Sequence, residues 1–182
     1  MNLLDKLERK FGRYAVKGLM LHIVGLNLFV YLLSWIRPEF VKFLVLEPSL
    51  VLKGEVWRLV SYIFIPPGGS PIFILFILYF YYMIGTGLEH EWGSFRFNIY
   101  YLVGMIGTTA AAFIANSAAT SMYLNLSLFL AFAYIYPNYE LHLFLILPIK
   151  IKYLAWLNWA FIGYTILLAP VSLSYKLAAV VS

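Results

Sequence analysis

Apolar residues along this chain occur in long, nearly continuous runs rather than in alternation with polar ones. A transmembrane helix needs about 17–25 predominantly apolar residues. Within lipid the backbone must satisfy its own hydrogen bonds, so each run is predicted to be a helix. The predicted spans are residues 19–36, 71–86, 97–115, 121–136 and 153–169. Residues 170–182 begin a sixth span that is too short to cross, so the pattern predicts an all-α, polytopic bundle of six transmembrane helices with an incomplete sixth helix.

Composition agrees with this pattern. Of 182 residues, 63% are hydrophobic and 12% are charged, and the mean hydropathy is +0.85. A soluble domain has about a quarter of its residues charged. The chain has no cysteine, which excludes a disulfide, a thiolate nucleophile and a cysteine-ligated metal. The sequence therefore predicts a lipid bilayer as partner, with no nucleic acid, metal or cofactor, and it predicts no oligomeric state.

The distribution of basic residues predicts the orientation. With the N-terminus inside, eight Lys and Arg residues lie in the inner segments and four in the outer ones, and basic residues are enriched on the cytoplasmic side. We therefore expect a multi-pass protein with a cytoplasmic N-terminus. The short loops, the lack of cysteine and the lack of a sorting signal favour the inner membrane of a bacterial cell.

Residues 1–18 form an amphipathic N-terminal segment before the transmembrane domain of residues 19–182. Its apolar residues fall on one helical face at spacings of three and four: Leu3, Leu4, Leu7, Phe11 and Tyr14. This segment is interpreted as a short helix on the cytoplasmic membrane surface. A helix that docks a partner is the alternative.

Three stretches resemble the rhomboid superfamily of intramembrane serine proteases. They are WRLVSYIF from Trp57, GTGLEHEWGSFRF from Gly85 and YYLVGMIG from Tyr100. The first two are also similar to derlins, which are rhomboid relatives without protease activity. The resemblance is firm over residues 54–108 and implies a rhomboid-like fold for residues 19–182.

The resemblance also implies structural roles for the matching residues. Trp57 and Arg58 match the first-loop pair, which would hold the fold, distort nearby lipid or contact a client protein. Gly85, Glu89, Gly93 and Arg96 match the turn between the second and third spans, with an ion pair expected between Glu89 and Arg96.

Small residues on the third span favour close packing with a neighbouring helix. Gly104 and Gly107 lie three residues apart, on one face of that span. Small residues at such positions allow helix backbones to approach closely in a membrane. We therefore expect both glycines to lie at a helix–helix contact.

The catalytic residues of the family are replaced at the matching positions. Phe73 and Ile77 stand where an oxyanion-binding His and Asn are expected, and no GxSG motif surrounds Ser121. Lys176 stands where the family has its His base. Because a serine needs a base within hydrogen-bond reach, the chain is interpreted as a pseudoprotease.

The inferred function is to bind transmembrane segments of client proteins and to assist their handling or turnover. One alternative is an active intramembrane serine peptidase that uses a Ser121/Lys176 dyad, since a buried lysine can serve as a base. A second alternative, a small channel or transporter, requires more than one intramembrane charge or a pair of broken helices.

Overall fold

The computed structural model describes residues 3–143, 147–157 and 160, most of them in helices. The helices are α1 (Leu3–Phe11), α2 (Leu19–Ile36), α3 (Phe40–Leu44), α4 (Pro48–Val51), α5 (Arg58–Ser61), α6 (Pro71–Trp92), α7 (Ser94–Ala115) and α8 (Met122–Ile135). Strands β1 (Glu140–Leu143) and β2 (Leu147–Lys150) follow. Residues 151–157 are again helical.

Three of the described helices are long and apolar enough to cross a membrane. They are α2 with 18 residues and α6 and α7 with 22 each, with mean hydropathies of 1.9, 1.8 and 1.5. At 1.5 Å per residue they measure about 27 Å and 33 Å, close to the thickness of a bilayer core. Helix α8 is apolar but shorter, with 14 residues. The chain is therefore an integral multi-pass membrane protein. Six spans are not confirmed, because most of the fifth and all of the sixth lie outside the described residues.

The prediction of a turn at residues 85–89 is wrong. Helix α6 continues through Gly85 and Glu89 to Trp92, six residues beyond the predicted end of the second span. Of the residues from 85 to 94, only Gly93, with φ of 80°, lies in the left-handed region that glycine adopts without steric cost. The chain reverses at this one residue, so α7 begins at Ser94.

The all-α prediction is incomplete, because β1 and β2 form an antiparallel hairpin in which Glu140 pairs with Lys150 and His142 with Pro148. Proline cannot donate a backbone hydrogen bond and breaks a helix interior, which favours an extended segment here. The hairpin base is fixed by hydrogen bonds from the backbone N–H of Ile151 to the carbonyl of Tyr139, at 2.9 Å, and from the N–H of Lys152 to the carbonyl of Pro137.

Different segments of the chain pack at the two ends of the helix bundle. At the loop end, residues 37–70 join α2 to α6, and two backbone hydrogen bonds between Leu46 and Ala119 tie this loop to the α7–α8 connection. At the N-terminal end lie α1, the α6–α7 turn and the hairpin. A continuous apolar core connects the two ends, with members on α2, α6, α7 and α8 such as Met20, Leu88, Phe97 and Leu128.

Candidate functional site

Arg58 fixes the first loop from the inside. Its side chain is buried, with an exposed fraction of 4%, and its Nε donates a hydrogen bond of 2.7 Å to Glu55. One terminal nitrogen donates to the backbone carbonyls of Lys42, at 2.7 Å, and Val45, at 2.8 Å. A planar guanidinium supplies such a fork of donors, which lysine lacks. Arg58 therefore holds α3, α5 and the segment between them in one arrangement.

Trp57 lies next to Arg58 and has the opposite environment. Half of its surface is exposed, and its indole N–H donates a hydrogen bond of 3.2 Å to the carbonyl of Phe43. A tryptophan with a bonded N–H and an open ring is typical of a membrane interface. Trp57 is thus placed where it can contact lipid or another protein, whereas Arg58 is enclosed.

Glu89 joins three segments at the N-terminal end. Its carboxylate accepts hydrogen bonds from the backbone N–H of Gly18, at 2.9 Å, and from the hydroxyl of Ser94, at 2.6 Å. Gly18 is the N-cap of α2 and Ser94 is the first residue of α7. A carboxylate near a helix N-terminus is favourable because helix dipoles present partial positive charge there.

The expected ion pair between Glu89 and Arg96 is not formed. The guanidinium of Arg96 binds Asp5, at 2.9 Å, and Glu8, at 3.0 Å, both of which lie on α1. The pairing differs because α6 extends to Trp92, so that Arg96 lies in the first turn of α7, beside α1. Asp5 and Glu8 were not recognised from the sequence as functional residues, although their spacing of three places them on one side of a helix.

Glycines allow α6 to approach its neighbours closely. A Cβ added at Gly85 would collide with Met20 of α2, and one added at Gly87 would lie 2.6 Å from the ring of Phe132 on α8. Gly87 was not singled out from the sequence.

The two glycines predicted on the third span differ in their surroundings. A Cβ at Gly104 would collide with Leu124 of α8, whereas one at Gly107 would meet no atom within 4 Å among the described residues. Gly104 therefore lies at a close helix contact, and Gly107 faces open space in this part of the chain.

Ser121 lies at the start of α8, where no described residue serves it as a base. Its side chain is buried, and its hydroxyl accepts a hydrogen bond of 3.3 Å from the amide of Asn125. Among the described residues no histidine or lysine is hydrogen-bonded to it; His22, for example, lies 2.9 Å from the carbonyl of Gly18 instead. Lys176 lies outside the described residues. A hydroxyl without a neighbouring base is a weak nucleophile, so this geometry supplies no activated serine.

Phe73 and Ile77, at the matched oxyanion positions, are both on α6. Phe73 is exposed, and its ring closes over Gly69. Neither side chain carries a hydrogen-bond donor, so neither can stabilise an oxyanion.

A buried polar cluster lies between α6, α7, α8 and the first loop. Tyr101 and Asn125 are 2% and 7% exposed, and neither the Tyr101 hydroxyl nor the Asn125 side-chain oxygen has a hydrogen-bond partner among the described residues. The hydroxyls of Tyr62 and Tyr81 lie close enough to interact electrostatically with the hydroxyl of Tyr101. Burial raises the pKa of Tyr62, so it remains neutral. The cluster can donate and accept hydrogen bonds but presents no charge.

In the described part of the chain, no three His, Cys, Asp or Glu residues form a group that could hold a metal ion. A cleft of about 310 Å³ at the N-terminal end is lined by Gly18, Leu21, Tyr82, Thr86, Glu89 and His90. This cleft is shallow, and Glu89 in its wall is already hydrogen-bonded to Gly18 and Ser94.

A family model described as "Eukaryotic integral membrane protein (DUF1751)" matches residues 17–182. No curated protein and no solved structure matches the chain. Because the matching family is eukaryotic, the prediction of a bacterial inner membrane is wrong. Short loops and a lack of cysteine do not by themselves identify the type of cell.

Proposed function

This chain belongs to the DUF1751 family of eukaryotic integral membrane proteins, and from that premise we propose that it is a rhomboid-like pseudoprotease that binds transmembrane segments of client proteins. In this proposal it assists their handling or turnover, as rhomboid pseudoproteases and derlins do. The observation that carries the proposal is that two buried polar atoms, on Tyr101 and Asn125, have no hydrogen-bond partner among the described residues. They lie in the same region as Ser121, where an active relative would have its nucleophile.

Unpaired polar atoms are costly in an apolar interior, where each costs several kcal/mol. A polar side chain on a client helix would satisfy them, whereas an all-apolar helix would not. Access requires α6 to move away from α8, and the two helices meet through the rings of Phe80 and Phe129, whose centroids are 5.8 Å apart. That ring contact itself contains no hydrogen bond or ion pair, whereas the hydrogen bond from the Tyr136 hydroxyl to Glu91 joins the ends of α8 and α6 at the N-terminal end of the bundle. The proposal therefore predicts entry between α6 and α8 and a preference for polar residues in the client.

Photocrosslinking tests this proposal. Benzoylphenylalanine replaces Phe129, next to the entry route, or Ile106 on the exposed face of α7 as a position control. The probes are a polyleucine transmembrane peptide with one central Asn and the same peptide without it. We expect the Asn peptide to be captured from position 129 about threefold to eighteenfold more, since a hydrogen bond in a membrane contributes about 0.6–1.7 kcal/mol.

Asn125→Leu and Tyr101→Phe should each reduce this preference without changing capture at position 106. Equal capture of the two peptides at position 129, or equal capture at both positions, would contradict the proposal.

Labelling with a serine-reactive fluorophosphonate separates this function from the peptidase alternative. The expected result is no labelling of the bilayer-reconstituted protein beside a rhomboid protease that labels well. Labelling that disappears in both Ser121→Ala and Lys176→Ala would establish the dyad and overturn the pseudoprotease proposal.

A further inference from the structure

The two acids of α1 and its two lysines lie on different sides of the helix. Asp5 and Glu8 are half-buried and face Arg96 of α7, whereas Lys6 and Lys10 are exposed. With about 100° of rotation per residue, the mean direction of the two lysines differs by about 150° from the mean direction of the two acids around the helix axis. The acids thus face α7, and the lysines point away from it.

The cationic surface continues beyond α1. It is defined by four exposed side chains: Lys6, Lys10, Arg13 and Lys17. Among the residues that the structure describes, none of these four forms an ion pair; Arg13 donates instead to the Tyr14 hydroxyl, at 2.7 Å. Exposed apolar residues, Leu4, Phe11, Tyr14 and Val16, lie beside these cations. An amphipathic helix with this arrangement is typical of the interface of a membrane.

The same segment is fixed to the end of a membrane span. Arg96 binds α1 from the first turn of α7, and the amide of Asn98 donates a hydrogen bond of 2.9 Å to the carbonyl of Val16. Gly18, two residues further along the chain, is held by Glu89 of α6. Because these contacts anchor residues 3–18 at the ends of α6 and α7, the cationic surface is held at the level of the lipid headgroups.

From this placement we propose that the cationic surface of α1 binds the headgroups of anionic phospholipids in the membrane that the protein spans. Arg96 has a specific part in this. By pairing with Asp5 and Glu8, it offsets part of the negative charge that would repel the same lipids. This inference is independent of client binding, since it uses neither Tyr101 nor Asn125.

Local lipid enrichment is the property to measure. The chain has no native cysteine, so Leu4→Cys provides a single site for an environment-sensitive fluorophore. The protein is placed in phosphatidylcholine nanodiscs that contain either spin-labelled phosphatidylserine or spin-labelled phosphatidylcholine at equal mole fraction. Quenching by the two lipids then reports which of them surrounds α1.

We expect phosphatidylserine to be enriched by about fivefold for each basic side chain that engages a headgroup. Enrichment should be strong in 10 mM KCl and lost in 1 M KCl, where the Debye length falls from about 30 Å to about 3 Å. It should also be lost when Lys6, Lys10 and Arg13 are all replaced by Gln. The control variant also loses three positive charges, but at the loop end, because Arg37, Lys42 and Lys53 are replaced by Gln. This variant should keep the enrichment of phosphatidylserine.

Arg96→Gln tests the role of the neutralised acids. It should lower enrichment because Arg96 then no longer offsets negative charge on Asp5 and Glu8, and Arg96→Lys should restore part of it. Equal quenching by the two lipids in 10 mM KCl, or enrichment that persists in the triple Gln variant of α1, would overturn the proposal. Enrichment in the wild-type protein that is unchanged between 10 mM and 1 M KCl would overturn it as well, without any substitution.

Discussion

Removing the guanidinium of Arg58 should destabilise the protein more than removing any exposed arginine. The wild-type side chain makes three hydrogen bonds of 2.7–2.8 Å, to Glu55 and to the carbonyls of Lys42 and Val45. A hydrogen bond to a charged group contributes about 1.5–3 kcal/mol. The simple sum overestimates the loss, since water can reach Glu55, whose side chain is 30% exposed. Breaking a buried ion pair by removing one partner costs about 3–5 kcal/mol, which is the expected effect of Arg58→Ala.

The assay is thermal unfolding in detergent micelles, followed by the fluorescence of the five tryptophans and independently by far-ultraviolet circular dichroism. For a chain of this length, about 4 kcal/mol lowers the melting temperature by roughly 8–16 °C. Trp57 is next to the substitution, so its fluorescence can report a local opening of the loop. Circular dichroism follows all helices, and agreement between the two signals identifies a global effect.

Two variants serve as comparisons for Arg58→Ala. Arg37→Ala removes the same group from an exposed position on the same loop and should change stability by less than about 0.5 kcal/mol. Arg58→Lys keeps the charge but not the planar fork and should fall between the wild type and Arg58→Ala. If Arg58→Ala melts within a degree or two of Arg37→Ala, the loop does not depend on this side chain and the reasoning is refuted.

Four further substitutions have outcomes that the structure fixes in direction. Gly104→Ala should lower the free energy of unfolding by about 1–3 kcal/mol because the added Cβ meets a neighbouring helix. Gly107→Ala should leave that free energy unchanged or raise it slightly, since alanine favours a helix. Equal melting temperatures for the two variants would contradict this. Asn27→Leu should cost about 1–3 kcal/mol in the same melting assay because it leaves the carbonyl of Ile63 without its donor; an unchanged melting temperature would show that this bond contributes nothing. Tyr136→Phe removes a hydrogen bond of 2.6 Å to Glu91, which raises the pKa of Tyr136. The melting temperatures of wild type and variant should therefore differ below about pH 10 and converge as the pH rises through that raised pKa. A difference in melting temperature that does not change with pH would contradict this.

The long helices could be predicted because their signal is local. The run of apolar residues from Leu19 to Ile36 coincides with α2, and the predicted start of the second span at Pro71 is the start of α6. At that start, Pro71 occupies a first-turn position, and the hydroxyl of Ser70 accepts a hydrogen bond from the N–H of Phe73. Such caps involve neighbouring residues and can be recognised from the chain alone.

The hairpin could not be predicted from the length of its apolar segment. The segment from Glu140 to Lys150 is rich in leucine, which favours a helix as readily as a strand in so short a run. Its pairing is decided by Pro148 and by the hydrogen bonds at residues 151 and 152, which close the base of the hairpin. A short apolar run is therefore ambiguous until the contacts at its ends are known.

The candidate site shows the same division between local and distant information. Arg58 and Glu55 are three residues apart on either side of a turn that leads into α5, so their ion pair is a local contact. Arg96 and Glu89 are seven residues apart, and that separation suggested a pair as long as a turn was expected between them. The helix that runs through Glu89 removes this turn and gives Glu89 two other donors, from Gly18 and Ser94.

The partners of Arg96 are explained by charge balance at the N-terminal end. With Glu89 already accepting two hydrogen bonds, the acids within reach of Arg96 are Asp5 and Glu8, which lie 91 and 88 residues earlier in the chain. A partly exposed ion pair contributes little by itself, about 0–1 kcal/mol. Its consequence is therefore positional: together with the hydrogen bonds from Asn98 to Val16 and from Gly18 to Glu89, the pairing holds the acidic side of α1 against α7, so that the lysines of α1 face outward.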